Sequence, residues 1–163
     1  MQACSNKELR QIELKAELTG YFVVDPQPDS AVAAQDTAIL LTNTYQNKLD
    51  LSGVSNGEID QISPNLALVG LNKPADSTFS FFENLTLSLE NGTDSIAIAE
   101  IGEFTTLSSD VVSLRLLNGN VKPILEANEA FWLEMNYTIN PADTFPEGID
   151  MDVFIEWLVA GEL

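Results

Sequence analysis

Residues 79–101 read FSFFENLTLSLENGTDSIAIAEI. Within them Leu85, Leu87 and Leu89 alternate with Thr86, Ser88 and Glu90. A period of two puts the leucines on one face of an extended strand and the polar residues on the other. Asn91-Gly92 then interrupts the pattern with residue types that accept positive φ, and Ile96 and Ile98 resume it. The stretch is a β-hairpin with a short polar loop. Its register predicts Leu87 in the core and Ser88 in water, so that Leu87→Asp is severe and Ser88→Asp nearly neutral.

The same alternation recurs on either side. Ile12, Leu14, Ala16, Leu18, Gly20, Phe22 and Val24 alternate with Glu13, Lys15 and Glu17, the mark of a half-buried antiparallel strand. Pro26 and Pro28 end it, because each removes a backbone donor and fixes φ. Residues 31–34 suit a helical turn, Ala38 to Leu41 a short strand, and residues 43–57 a polar loop with partial order. Ile59 and Ile62 begin a further strand in which Leu66 and Leu68 interleave with Ala67, Val69 and Leu71.

Beyond the hairpin, residues 111–117 read as one strand, ended by Asn118-Gly119-Asn120. Residues 121–128 hold one helical turn, with Pro123 tolerated in its first turn. Phe131, Leu133, Met135, Tyr137 and Ile139 alternate again, as do Met151, Val153, Ile155, Trp157 and Val159. About eight or nine strands at short spacing, without an amphipathic helix, predict an all-β protein. The expected fold is an antiparallel β-sandwich of Greek-key type, immunoglobulin-like or jelly-roll-like. Residues 9–163 are expected to form one such domain, preceded by a tether over residues 1–8.

Charge narrows function more than any motif does. The 163 residues carry 7 Lys and Arg against 25 Asp and Glu, a formal net charge of −18, with no His and one Cys. Such a surface repels phosphate backbones, so nucleic acid is not an expected partner. Without His there is no Ser-His-Asp or Cys-His arrangement and no imidazole ligand for a metal. A single Cys rules out an internal disulfide and a thiolate cage. Carboxylate, hydroxyl and lysine chemistry remain. No metal or cofactor is expected, and a non-enzymatic protein is the leading reading.

The acids mostly occupy outward strand positions, as Glu13, Glu17, Glu90 and Glu156 do, where solvation explains them. Asp150 and Asp152 near Glu147 form the one grouping that suits a shared cation. Trp132 falls out of phase with Phe131, Leu133 and Met135, so it should point away from the core. An outward Trp stacks on a sugar or fills a partner's pocket, although many pack beneath a loop instead. Trp132 is therefore the candidate ligand-binding residue, and Trp157 a core residue.

The leading Cys4-Ser5, the hairpin FFENLTLSLENGTDSIAIAEI, and the segments VVSLRLL, NEAFWLEMNYTI and MDVFIEWLVAG resemble small lipoproteins of the Bacteroidetes cell envelope. The resemblance spans residues 58–160 and rests on apolar spacing. It implies a β-sandwich and an envelope location, and no reaction. Asp29-Ser30-Ala31, Asp36-Thr37-Ala38, Asp76-Ser77-Thr78 and Asp94-Ser95-Ile96 also resemble the D-[ST]-[AILMTV] sites at which such bacteria O-glycosylate exported proteins, although turn chemistry produces the same triplets.

Ala3 supplies the small residue that lipoprotein processing needs before the modified Cys. Cys4 is then the lipid attachment site, Met1 an internal residue of a longer precursor, and Ser5, Asn6 and Lys7 a polar tether. The alternative is a free thiol at a frayed terminus. The expected function is an acidic envelope lipoprotein, periplasmic or at the cell surface, that binds or scaffolds a protein partner or glycan. It touches the membrane only through the lipid. A carbohydrate-binding module using Trp132 is the alternative, and a carboxylate-based hydrolase the third.

Overall fold

Each alternating segment becomes a strand: β1 (Gln11–Val24), β2 (Gln35–Thr42), β3 (Ile59–Lys73), β4 (Phe82–Glu90), β5 (Ser95–Ile101), β6 (Val111–Ser113), β7 (Arg115–Leu116), β8 (Ala130–Ile139) and β9 (Ile149–Glu162). A 3-10 turn, Phe79–Phe81, leads into β4, and one short helix, α1 (Lys122–Ala127), precedes β8. This computed structural model describes residues 11–24, 35–42, 52–53, 58–73, 79–102, 110–117, 119–127, 130–139 and 148–162. The turn expected over 31–34, the tether with Cys4, Glu147 and most of the loop 43–57 lie outside these residues.

Two antiparallel sheets form, with strand orders β1-β9-β3-β6 and β2-β8-β4-β5-β7. The pairing is nested. β4 pairs with β5, β3 with β6, β2 with β8 and β1 with β9. Such nesting is that of one long hairpin, whose tip is the Asn91-Gly92 turn, rolled until β9 lies beside β3 and β8 beside β4. The result is a jelly roll, the second of the two Greek-key forms expected.

The tip is held locally. Asn91 Oδ1 accepts hydrogen bonds from the backbone N–H of Thr93 (3.0 Å) and Asp94 (2.8 Å), and Gly92 takes φ 85°. From there Leu85, Leu87 and Leu89 enter the core, opposite Tyr137, Met135 and Leu133 of β8. Phe22, Ile62, Val69, Ile155 and Trp157 meet them from the other sheet. Burying each such side chain contributes about 1.5–3 kcal/mol.

Three expectations change. Residues 111–117 do not form one strand: β6 joins the four-stranded sheet and β7 the five-stranded one. Leu114, between them, turns into the core while its N–H donates to Ala67 O (2.9 Å), so the chain changes layers at this residue. Ser88 is not in water. It faces outward on the central strand of its sheet, between Glu134 and Ala97, and only 6% of it is exposed. On a central strand, with the longer Glu134 on one side, a small side chain has little access to water. β3 is also irregular, with register shifts between Ile59 and Gln61, between Pro64 and Leu66, and between Leu71 and Lys73. Pro64 cannot donate to a ladder, and it sits at a bulge on a part of β3 that β6 does not pair.

Where no strand covers β3, a side chain does. Asn120 Oδ1 accepts from the N–H of Ile62 (3.2 Å), and Asn120 Nδ2 donates to Asp60 O (3.4 Å). Val121 N–H donates to Ile62 O (2.8 Å), and Lys122 Nζ donates to Ile59 O. This closes the edge that the short β6 leaves open.

Candidate functional site

Burial along β8 alternates strictly: Phe131, Leu133, Met135, Tyr137 and Ile139 are buried, while Trp132 and Asn136 are exposed. Trp132 points outward as its phase requires, with 42% of its surface in solvent. It stands across from Leu40 of β2, itself 58% exposed, and on its other side across from Glu90 of β4, whose own partner is Ser95. One row of the five-stranded sheet therefore reads Leu40, Trp132, Glu90, Ser95. It offers an indole face, an aliphatic side chain beside it, and a carboxylate acceptor next to the ring. Such a group can stack on a ligand and accept hydrogen bonds from it. Trp157 takes the other expected role and is buried on β9.

A second surface lies on the outer face of the four-stranded sheet. A shallow groove of about 520 Å³ runs over Gly70 and is lined by Thr19, Leu68, Asp110, Val111, Asp152 and Phe154, among others. Its rows follow the strand register: Tyr21, Asp152, Gly70 and Val111 in one, and Thr19, Phe154, Leu68 and Ser113 in the next. Gly70 opens the groove because it places no side chain between Asp152 and Val111. Tyr21 hydrogen-bonds Asp150, and this bond, with desolvation and the charges of Asp150 and Asp152, raises the phenol above its ordinary pKa.

Further along the same face, Glu156 accepts hydrogen bonds from Asn65 Nδ2 and from Lys15 Nζ (3.1 Å). Asn65 reaches it from the bulge beside Pro64. The Asn65 bond first, and then Lys15, hold the Glu156 carboxyl below its ordinary pKa. Arg115 pairs with Glu100, and Lys122 with Glu126 (3.5 Å).

Asp150 and Asp152 occupy alternate outward positions on β9, and their proposed companion Glu147 lies outside the described residues. No cluster of three or more metal-ligating side chains occurs among the described residues. No helix among them is long and apolar enough to cross a membrane. Ser95 of the Asp94-Ser95-Ile96 triplet is exposed at the start of β5.

Against known proteins, the chain matches no family model and no curated sequence. Its fold is similar to that of viral coat structures. A decameric BFDV capsid protein aligns over 94% of this chain and 100% of its own, at 12% identity and a TM-score of 0.46. Turnip yellow mosaic virus aligns over 93% and 96%, at 10% identity and a TM-score of 0.28. Desmodium yellow mottle tymovirus aligns over 93% and 90%, at 9% and 0.28. Likenesses at this level carry no argument about function.

Sequence reading placed Trp132 outward, as the structure has it, and missed the groove. The signal for the groove was present, since Gly70 interrupts a strand and Leu68 and Phe154 put apolar groups on an outward face. It could not be read without knowing which strands lie side by side.

Proposed function

We propose that this protein is a non-enzymatic, acidic module of the cell envelope, lipid-anchored at Cys4, that binds or scaffolds another envelope component through the Trp132 face. The observation that carries this reading is the exposed pairing of Trp132 with Leu40. Two large apolar side chains side by side on a sheet face are desolvated favourably when a partner covers them, and aromatic residues are the usual anchors of such contacts. The lipid address rests on the sequence at Ala3-Cys4, and a diacylglyceryl-Cys with an amide-linked third chain anchors stably where one chain would be marginal.

Glu90 beside Trp132 favours a second reading, a carbohydrate-binding module, because a carboxylate next to an open ring suits a sugar's hydroxyls and its apolar face. Tryptophan emission during titration with neutral oligosaccharides separates the two. Quenching that disappears in Trp132→Ala and survives in Glu17→Gln assigns a glycan to the site. No response across the panel leaves a protein partner as the ligand. The address is tested by expressing the full reading frame, with any codons upstream of Met1, followed by mass spectrometry of Cys4 and membrane fractionation. An unmodified Cys4 in the soluble fraction overturns the anchor.

A further inference from the structure

We infer that the groove over Gly70 is a docking site for a positively charged, extended segment of a partner polypeptide. It lies on the sheet opposite Trp132 and does not depend on the reading of that residue.

The groove combines apolar walls with negative charge. Leu68, Val111 and Phe154 supply the walls, and Asp110 and Asp152 stand at its sides. Among the described residues no Lys or Arg lines it. Lys15, Arg115 and Lys122 are each paired elsewhere, with Glu156, Glu100 and Glu126. The whole chain carries −18, so the field at the groove repels an anionic ligand and attracts a cationic one.

Its shape suits a long basic side chain. The methylenes of Arg or Lys cover apolar surface while the charged head reaches a carboxylate, and Arg forms paired bonds with one. A floor without a side chain at Gly70 lets the incoming chain approach the sheet. The Asp110 backbone is fixed beside the groove, because its carbonyl accepts the N–H of Leu71 (2.7 Å). A volume of about 520 Å³ accommodates one or two such side chains. A neutral sugar fits less well. Phe154, flanked in register by Leu68 and Thr19, is partly buried and offers a smaller stacking face than Trp132 does.

Fluorescence polarisation with a labelled Val-Arg-Val-Arg-Val peptide tests the site, with Val-Glu-Val-Glu-Val as its counterpart. The paired change Asp110→Asn with Asp152→Asn should weaken the Arg peptide roughly tenfold, a loss of about 1.4 kcal/mol. Glu83→Gln with Glu134→Gln removes the same charge from the other sheet and should change binding less than about twofold, as remote screened charges do. Gly70→Val should weaken binding about as much as the Asp pair, by filling the floor without altering charge. A Cβ at Gly70 meets Val111 Cγ2 at 3.6 Å, an ordinary contact, and Gly70→Ala is the milder variant should Val disturb the fold. The Glu peptide should not bind. Equal losses from both charge pairs, binding indifferent to Gly70→Val and Gly70→Ala, displacement of the peptide by a neutral oligosaccharide, or no binding at millimolar peptide would each overturn the proposal.

Discussion

Gly161, near the end of β9, lies directly against the backbone carbonyl of Glu58 at the entrance to β3. A Cβ at this position would also press on Ile59 Cα at 2.8 Å, and neither neighbour is a side chain that can swing away. Gly161→Ala must therefore displace one strand from the other, at a cost of about 1–3 kcal/mol. Gly70→Ala on the same sheet meets only ordinary contacts and should cost less than half as much. Urea midpoints of the two variants measure this, and equal midpoints would show that the β3 and β9 termini are not in contact as described.

Leu87 is fully buried between Met135 and Ala99, whereas the adjacent Ser88 lies on the outer face between Glu134 and Ala97. The ladder skips Ile98 there, so Ile98 and Ala99 are both buried. Leu87→Asp places an unpaired charge in the core and should abolish cooperative unfolding at ambient temperature. Ser88→Asp is also harmful, by about 1 kcal/mol, because it sets a carboxylate opposite Glu134 with little access to water. Ser88→Thr should be close to wild type. A melting temperature for Ser88→Asp equal to wild type would return Ser88 to the solvated face.

Glu156 supplies a pH dependence with a definite sign. Its pKa is lowered by Asn65 and then Lys15, so the folded state binds its proton less readily than the unfolded chain does. The stabilisation is complete above the unfolded pKa and is lost as pH falls through the lowered folded value. Glu156→Gln should remove this part of the acid limb and leave it flatter than wild type below the ordinary carboxylate range. Parallel acid limbs in thermal scans would contradict the network. Tyr21 has the opposite sign. Its raised pKa gives a contribution present below the ordinary phenol value and lost as pH rises through the folded one.

Asn120 takes the place of a strand along part of β3. Its Oδ1 accepts from Ile62 and from Lys122 (3.1 Å), and its Nδ2 donates to Asp60 O. Asn120→Ala should cost about 0.5–1.5 kcal/mol, chiefly through the part-buried bond to Ile62. Asn120→Asp keeps the acceptor and loses the donor, so it should fall between Ala and wild type. Faster amide exchange at Ile62 in the Ala variant is the specific readout, since a general loss of stability would speed exchange throughout the core.

Trp132 and Trp157 differ in exposure and should differ in emission. The first is 42% exposed and the second 3%. Trp132→Phe should leave blue-shifted fluorescence that acrylamide quenches poorly, with stability changed by no more than about 0.5 kcal/mol, as at other surface positions. Red-shifted, readily quenched emission in that variant would place Trp157 in solvent and disprove the register of β9.

The sequence by itself determined the strands wherever one face was apolar and the other polar. Residues 85–90 and 131–139 carry that contrast, and the structure turns their apolar residues inward as the alternation requires, with Ser88 outward but covered. It also put Asn91-Gly92 at a turn and Trp132 outward, because both follow from the chemistry of a few adjacent residues. Tertiary structure decided the rest. In β3 both faces are partly apolar, so periodicity could not choose between Leu66 with Leu68 and Ala67 with Val69; the bulge beside Pro64 turned the second pair inward. Leu114 looked like one more strand residue, and only the gap between two sheets made it a crossing point. The groove has the same origin. Gly70, Asp152 and Val111 lie far apart in the chain and meet because β3 pairs with β9 on one side and β6 on the other. Alternation is a local property of the backbone, whereas a surface assembled across strands depends on which strands become neighbours, and that is settled by burial of the whole core.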